Sequence, residues 1–366
     1  MKLASVLTFI SAAVAAVTTE ASINTNVLHP RFHGRFLQEK AEIATELEQW
    51  EASEYAKAAA EFTGSNDLHE SAGMDQEEKL QRFFATKMQA EEMSRLNPEA
   101  EFSTKTPFAL WTDEEFAAYV SRGYGSSEEP SFITEEAPEP EEDLHEDSSV
   151  IDWSTSGCVA PVKNQGKCGN CWSFGGTASV ESFHCLNNNR KLVTFSEQEL
   201  TSCDRSDNGC DGGWGENVVS YIARNGICTD KDYPYTSGTT KVSGECLLNK
   251  LRCNRVYPRI QNYYTLPRGS DYYMTGYLRR QPISVSLAAG NPAFRTYTSG
   301  VLSACPTQKI DHVVLTVGYG NINGTDHYRI KNSWGPNWGM NGYIHLKRNA
   351  GGNGACEMLS SPFFPY

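Results

Sequence analysis

Gln165-Gly166-Lys167-Cys168-Gly169-Asn170-Cys171-Trp172-Ser173-Phe174 sets a cysteine at the head of a helix-forming run, six residues after a glutamine and three after a second cysteine. Far downstream stand Asp311-His312 and Asn332-Ser333-Trp334-Gly335. A thiol, an imidazole and an amide that meet only in the fold are the parts of a Cys/His/Asn nucleophile system. The cysteine count gives Cys171 a special place. Eleven cysteines occur, at 158, 168, 171, 185, 203, 210, 228, 246, 253, 305 and 356. An odd number in a secreted chain leaves one thiol unpaired. Ten can form five bridges and the eleventh can be the nucleophile, although spacing alone leaves the pairing open.

Secretion is expected from the other end of the chain. Met1-Lys2 precedes an apolar run from Leu3 to Val17 with small residues at Ala13-Val14-Ala15-Ala16. This is the charge, apolar core and small-residue exit of a signal peptide, assigned to residues 1–16. The run falls short of the roughly 20 residues that span a bilayer, and no later segment is apolar enough to span. An oxidising route also suits many disulfides.

Charge divides the remainder. Residues 1–148 hold 30 Asp and Glu against 11 Lys and Arg, a net of −19, whereas residues 149–366 hold 15 against 21, a net of +6, and the two sum to the −13 of the whole chain. Residues 22–124 carry Ala/Glu/Lys/Gln-rich stretches without cysteine and read as helical. Ser126–Ser149, with Pro130, Pro138, Pro140 and an acidic run from Glu135 to Asp147, reads as an exposed linker that lacks apolar surface to bury. The last 218 residues suffice for one sizeable globular unit. Within it, Trp172–Leu186 reads as a helix that places Cys171 where the helix dipole favours a thiolate. Phe195–Cys203 reads as a short helix capped by Ser196 with Glu199 three residues on. Glu216–Asn225 is a third helix, closed by Gly226. Pro282–Leu287, His312–Tyr319, His327–Lys331 and Gly342–Lys347 alternate or are β-branched and read as strands. A helical half holding the thiol and a β half holding the imidazole predict a cleft between them.

The ordered set of Cys168-Gly169-Asn170-Cys171-Trp172, Asp152-Trp153, Gly209-Cys210-Asp211-Gly212-Gly213, Tyr233-Pro234-Tyr235, His312 and Lys331-Asn332-Ser333-Trp334-Gly335 resembles papain-like cysteine peptidase precursors from about Val150 to Tyr366. Asn170 departs from the Ser or Ala of the local signature. The resemblance implies an α+β, two-lobed fold. It has a helical left lobe, an antiparallel β-barrel-like right lobe and a helical N-terminal pro-segment. Its division is an acidic inhibitory propeptide with linker at 17–148 and a peptidase domain at 149–366. In the pro-segment Glu78, Arg82 and Asn97 keep the family's helical motif, while Thr86, Gln89 and Met93 replace its other positions. Pro107-Phe108-Ala109 and Thr112-Asp113-Glu114-Glu115-Phe116 resemble the stretch that follows it, with Thr104, Thr106 and Leu110 at substituted motif positions.

The resemblance also implies roles. His312 would activate Cys171 and protonate the leaving amine, and pairing with an imidazolium can lower a thiol pKa to about 3–4. Asn332 would orient the ring and Trp334 would shield that bond from water. Gln165 and the Cys171 N–H would form an oxyanion hole, each donor contributing on the order of 2.7–4 kcal/mol. Asp311 would tune the imidazolium. Gly212 and Gly213 would pair with an extended peptide. Trp214, Gly215, Ser286, Ile310, Val313 and Ser361 would line the pocket for the second residue before the cut, with no charge at its base and hence an apolar or aromatic preference. The implied disulfides are Cys168–Cys210, Cys203–Cys246 and Cys305–Cys356, with Cys158–Cys185 as in cathepsin B and Cys228–Cys253 remaining. No histidine lies between Cys228 and Cys253, so cathepsin B's occluding loop has no counterpart and an endopeptidase is expected. Asn323-Gly324-Thr325 is the sole glycosylation sequon. Peptide and protein substrates, the chain's own propeptide and cystatin-type inhibitors are the expected partners. No cofactor, metal or nucleic acid is implied, and the expected state is a monomer in the lysosome, vacuole or extracellular space. A Cys-x2-Cys redox pair would need a preceding strand and βαβ context and would leave His312 and Asn332 without a task. A zinc module would consume cysteines better used as disulfides. A binding-only homologue would usually have lost a catalytic group, and none is lost.

Overall fold

The computed structural model describes residues 23–63, 74–125, 135–141 and 150–366. The expected signal peptide at 1–16 lies outside these residues, as do 126–134 and 142–149 of the linker. Among the described residues no helix is long and apolar enough to cross a membrane.

The pro-segment opens with α1 (His33–Glu51), α2 (Glu54–Thr63) and α3 (Gln76–Leu96). Phe36, Ile43, Leu47 and Trp50 form one helical stripe and Leu80, Phe83, Phe84 and Met88 another; the two stripes share one buried core. Asp75 caps α3 by accepting the Glu78 N–H at 2.8 Å. Next comes β1 (Ala100–Phe102), then α4 (Asp113–Ser121), which starts in a full capping box between Thr112 and Glu115. The linker contributes β2 (Glu135–Glu136), and β3 (Ile151–Asp152) begins the larger unit.

The helical lobe holds α5 (Cys171–Asn187), α6 (Glu197–Cys203), α7 (Gly215–Asn225) and the short α8 (Ser237–Thr240). Ser196 caps α6 as expected, accepting the Glu199 N–H at 2.9 Å. The Glu199 carboxylate does not return to the cap; it accepts from the Cys228 N–H and from Arg255 instead. The second lobe is β4 (Tyr263–Thr265), α9 (Asp271–Leu278), β5 (Ile283–Leu287), α10 (Pro292–Thr296), β6 (Tyr297–Leu302), β7 (His312–Ile322), β8 (Thr325–Lys331), β9 (Tyr343–Lys347) and β10 (Phe363–Pro365). The strands follow the order β1-β6-β9-β8-β7-β5-β10-β4-β2, with β3 on β7. The fold is α+β and two-lobed, but the sheet is an open path, not a barrel, and two pairings, β6–β9 and β2–β4, are parallel. Pro-region strands occupy both ends of that path.

Five disulfides form: Cys158–Cys185, Cys168–Cys210, Cys203–Cys246 and Cys305–Cys356, as the resemblance implied, and Cys228–Cys253, the pair left over. Cys171 alone is free. Asn323 sits exposed in the β7–β8 hairpin, with a φ of 52°.

The pro-segment docks on the second lobe through Arg295, 1% exposed. Its guanidinium donates to Asp113 Oδ1 at 2.8 Å, the Trp111 carbonyl at 2.8 Å and Thr86 Oγ1 at 2.6 Å. Thr86 and Asp113 both belong to the pro-segment, so the threonine that departs from the family motif becomes an acceptor for this arginine. Asn97 Oδ1 accepts the Ser303 and Ala304 N–H groups. The linker stays largely exposed over 135–141, as expected, but β2 pairs with β4 and Ala137 and Pro140 are buried, Ala137 at 4% exposure. Removing the counter-charge of a buried cation is costly. Asp113→Ala in a Cys171→Ala background is therefore expected to cost on the order of 2–3 kcal/mol of precursor stability by denaturant titration. Glu42→Ala, at a carboxylate 67% exposed, is expected to cost under about 0.5 kcal/mol.

Candidate active site

Cys171 is the first residue of α5, so its N–H has no acceptor within the helix. His312 is the first residue of β7. The two elements are held together where Val313 packs on Gly175, and where Ser284 Oγ of β5 donates to the Gly175 carbonyl at 2.8 Å. His312 Nε2 lies 2.8 Å from Asn332 Oδ1, which also accepts the Ser333 N–H at 2.7 Å. Asn332 thereby occupies Nε2, and Nδ1 is the ring nitrogen that can serve a thiol. Trp334, 1% exposed, stacks on the imidazole at 4.7 Å between centroids and 27° between planes.

Gln165 joins this site from the loop before α5. Its backbone N–H donates to the Ser333 carbonyl at 2.9 Å, Ser333 Oγ donates to its Oε1 at 2.7 Å, and its Nε2 donates to the Cys168 carbonyl at 3.1 Å. An amide nitrogen carries two hydrogens, so one remains for an oxyanion. Tyr235 is a positioning residue the sequence reading quoted without a task. Its hydroxyl donates to the Gln165 carbonyl at 2.8 Å and lies 3.1 Å from Asn170 Oδ1. Asn170 Nδ2 in turn donates to Thr201 Oγ1 at 2.8 Å. The departure beside Cys171 is thus absorbed by buried partners.

The pro-segment closes the site. After α4, Gly123 passes directly over Cys171, and Cys171 Sγ donates to the Gly123 carbonyl at 3.2 Å. A Cβ at Gly123 would fall 2.7 Å from that sulfur, so only glycine permits this approach. Tyr124 bridges Gly213 in parallel and packs edge-on against Trp214 at 5.0 Å, Gly125 N–H donates to the Gly213 carbonyl at 3.2 Å, and Arg122 pairs with Asp211 at 2.6 Å. Cys171, His312, Gln165 and Asn332 are all buried. Burial pushes the Cys171 thiol up to about 12 and the His312 imidazole down to about 4, the latter against the Asn332 bond. Between those values the covered pair is a neutral thiol beside a neutral imidazole. Burial likewise raises Asp311 to about 6, opposed by the Ala289 and Gly290 N–H groups that its carboxylate accepts.

Of the residues expected to line the pocket, Gly213 and Trp214 hold the pro-segment. Val313 shares a buried cluster with Phe363, Tyr263 and α7. Gly215 lies against Phe363 and Val313, and Ser286 is opposite Val313 in the β5–β7 pair. Ile310 is half-buried just before His312, and Gly212 has a φ of 107° in the loop before α7. Ser361 corrects the expectation of an uncharged base, because it hydrogen-bonds to the Glu216 carboxylate. Burial, with Asp207 nearby, raises Glu216 to about 7, and its Oε2 has no partner. The sequence signal for Glu216 was its place in the first turn of α7, where a carboxylate is usually solvated.

Residues 148–366 match the family described as "Papain family cysteine protease". Chymopapain of Carica papaya is 41% identical over 217 residues, 59% of this chain and 60% of chymopapain's own length. The probable cysteine protease RDL2 of Arabidopsis thaliana is 35% identical over 298 residues, 80% of each chain. The proform of the ragweed pollen allergen Amb a 11, a cysteine protease, superposes with a TM-score of 0.70 at 25% identity, over 91% of this chain and 97% of that one.

Glu216 yields a stability test. An acid with a raised folded pKa favours the folded state least at high pH; the benefit held in acid is lost as pH rises through about 7. Glu216→Gln is therefore expected to leave precursor stability at pH 5 nearly unchanged and to raise it at pH 8.5, by up to about 3 kcal/mol, in denaturant titrations.

Proposed function

This chain belongs to the papain family of cysteine proteases, and on that premise we propose that it is the precursor of a secretory-pathway endopeptidase. Cys171 is its nucleophile and residues 17–148 are its acid-released inhibitor. The observation that carries the reading is the unpaired Cys171 at the head of α5, joined in one buried site by a histidine oriented at 2.8 Å by Asn332 and roofed by Gly123.

When the roof leaves, water and substrate replace it, the desolvation that kept both groups neutral is relieved, and thiolate–imidazolium becomes the favoured form. The Cys171 thiolate attacks the scissile carbonyl carbon. The oxyanion is met by the Cys171 N–H and Gln165 Nε2, whose amide is aimed by Ser333 and Tyr235. His312 gives its proton to the leaving amine, and the C–N bond breaks to leave a thioester. A water then attacks the thioester, yielding its proton to His312, and the thiol ester bond breaks to release the acid. The substrate main chain lies along Gly213, where Tyr124 and Gly125 now sit. In acid, with Glu216 protonated, the second pocket is apolar and favours an apolar or aromatic residue. Internal cleavage follows from the absence of histidine between Cys228 and Cys253. Residues 1–16 act as signal peptide, and the five disulfides fit an oxidising destination such as the lysosome, vacuole or exterior. The uncovered cleft suits cystatin-type inhibitors, and Asn323 is a candidate glycan site.

Acid acts first on ion pairs within the pro-segment. Arg35 grips Glu91 with both ends of its guanidinium, at 2.6 and 2.7 Å, and holds that carboxyl below its usual range. Against the cost of burial, Arg82 and the Thr112 N–H hold Glu115 low as well. A lowered folded pKa contributes stability present above the ordinary carboxylate value and lost as pH falls from there through the lowered folded value. The helices that hold Gly123 in place therefore loosen at acid pH, and screening by salt weakens the same pairs.

Two measurements test this reading. Cys171→Ala is expected to fold and to show no peptide cleavage or labelling by a peptidyl epoxide. His312→Ala is expected to lose nearly as much activity and Asn332→Ala to keep a measurable fraction; normal cleavage by Cys171→Ala would overturn the assignment, and dominant dipeptide release from C-termini would overturn the endopeptidase claim. For acid release, the precursor is expected to be inactive at pH 7 and to convert at pH 4. Glu91→Gln is expected to shift the midpoint of conversion upward in pH, and conversion equally fast at both pH values would sink the acid-release claim.

A further inference from the structure

Glu135–Glu141 occupies a groove on the far side of the sheet from the catalytic pair. Glu135 and Glu136 pair in parallel with Tyr264 and Thr265 of β4, and the Ala137 N–H donates to the Thr265 carbonyl at 2.9 Å. Pro138 has no N–H and ends the ladder, but its carbonyl accepts from Tyr277 Oη of α9 at 2.8 Å. Each end carries a polar lock. Tyr366 Oη, its ring stacked at 3.8 Å on Tyr264, donates to Glu135 Oε2 at 2.8 Å, and Arg280 pairs with Glu141 at 2.9 Å. Ala137 is 4% exposed and belongs to the main core of the second lobe.

Gly276 marks the groove as built to a shape. Inside a helix glycine is destabilising relative to alanine, and nothing in α9 asks for a positive φ there. A Cβ at 276 would stand 2.7 Å from Pro140 Cβ and Cγ. The missing methyl makes the seat for the proline. The strap itself is suited to the groove: two prolines hold it extended, so little backbone freedom is lost on docking. Between β2 and the strand of His312 lie β4, β10 and β5, four strand spacings or about 19 Å. The groove and the cleavage site can therefore be filled at the same time.

We propose that the groove formed by the outer edge of β4, α9 and Tyr366 is a peptide-binding exosite. Its ligand is an extended acidic peptide carrying a small apolar residue and, three residues later, a proline. In the precursor this chain's own Glu135–Glu141 fills it. Once maturation cuts the strap away, a step that rests on the processing proposed above, the groove takes a segment of the same pattern from a protein substrate and holds that substrate beside the cleft.

The test needs no catalysis, so it can fail while the peptidase reading stands, and the reverse. Fluorescein-labelled peptide with the sequence of residues 135–141 is titrated by polarisation into full-length Cys171→Ala precursor whose own residues 135–141 alternate Gly and Ser. Saturable micromolar binding is expected. Binding to precursor with its natural strap, binding after Gly276→Ala, and binding of a peptide with the same residues in scrambled order should each be at least tenfold weaker. No binding to the vacated groove, equal binding of the scrambled peptide, or indifference to Gly276→Ala would each overturn the proposal. A second measurement uses the unaltered strap. Gly276→Ala in Cys171→Ala precursor is expected to speed hydrogen exchange at the Ala137 amide at least tenfold, and unchanged exchange there would also overturn it.

Discussion

The contact between α5 and β7 is the constraint on which the site depends. A thiol that begins a helix and an imidazole that begins a strand come from opposite lobes, and neither lobe can set their separation alone. Val313 of β7 packs on Gly175 of α5, where a Cβ would stand 2.6 Å from its Cγ1, so the helix meets the sheet through backbone. Within the helical lobe the half-buried Lys163 reaches Glu181 at 2.8 Å and Glu197 at 2.5 Å. Glu181 also accepts the Phe195 N–H at 2.8 Å. Glu181 and Glu197 are buried, where unpaired ions would be costly; paired with Lys163, they tie α5, α6 and the preceding loop together. Gln165 and Asn332 then need only short-range help from Ser333 and Tyr235.

The same low-dielectric packing that positions the groups also silences them. Covered by Gly123, the pair is driven toward its neutral form by desolvation from both sides. The pro-segment therefore does more than obstruct. It adds to the burial that disfavours the charged forms of both groups, and Sγ lies 3.2 Å from the Gly123 carbonyl, a contact that suits a thiol donor. Obstruction and electrostatic suppression come from one glycine and the helices that aim it.

Much of the site was legible because its chemistry is carried by rare residue types at long, fixed separations. Cys171, His312, Asn332 and Gln165 were found that way, and α5, α6, α7, β5, β7, β8 and β9 were readable from capping residues and from alternating or β-branched runs of five residues or more. β1, β4 and β10 were not, because three residues are too few to show a period of two. Their pairing is decided by partners far along the chain. Glu216 and Arg295 escaped for a related reason: a charge reads as solvated until tertiary packing covers it, here by Phe363 and Tyr263 and by the pro-segment. In the linker the acidic residues are exposed as expected, and what the reading missed is the seat taken by Ala137 and Pro140. The acidity argued for exposure, while the prolines had already fixed the extended shape that β4 and α9 accept.

Both ends of the sheet are finished by strands of the pro-region, β1 beside β6 and β2 beside β4, which the proposed processing would remove. An unpaired strand edge is a template for any other extended chain. In the precursor both edges are satisfied by pairing. On the proposed processing, the cut that would free the cleft would also expose two rows of backbone donors and acceptors. Dilution or prompt engagement with other chains would become part of the mature form's working condition.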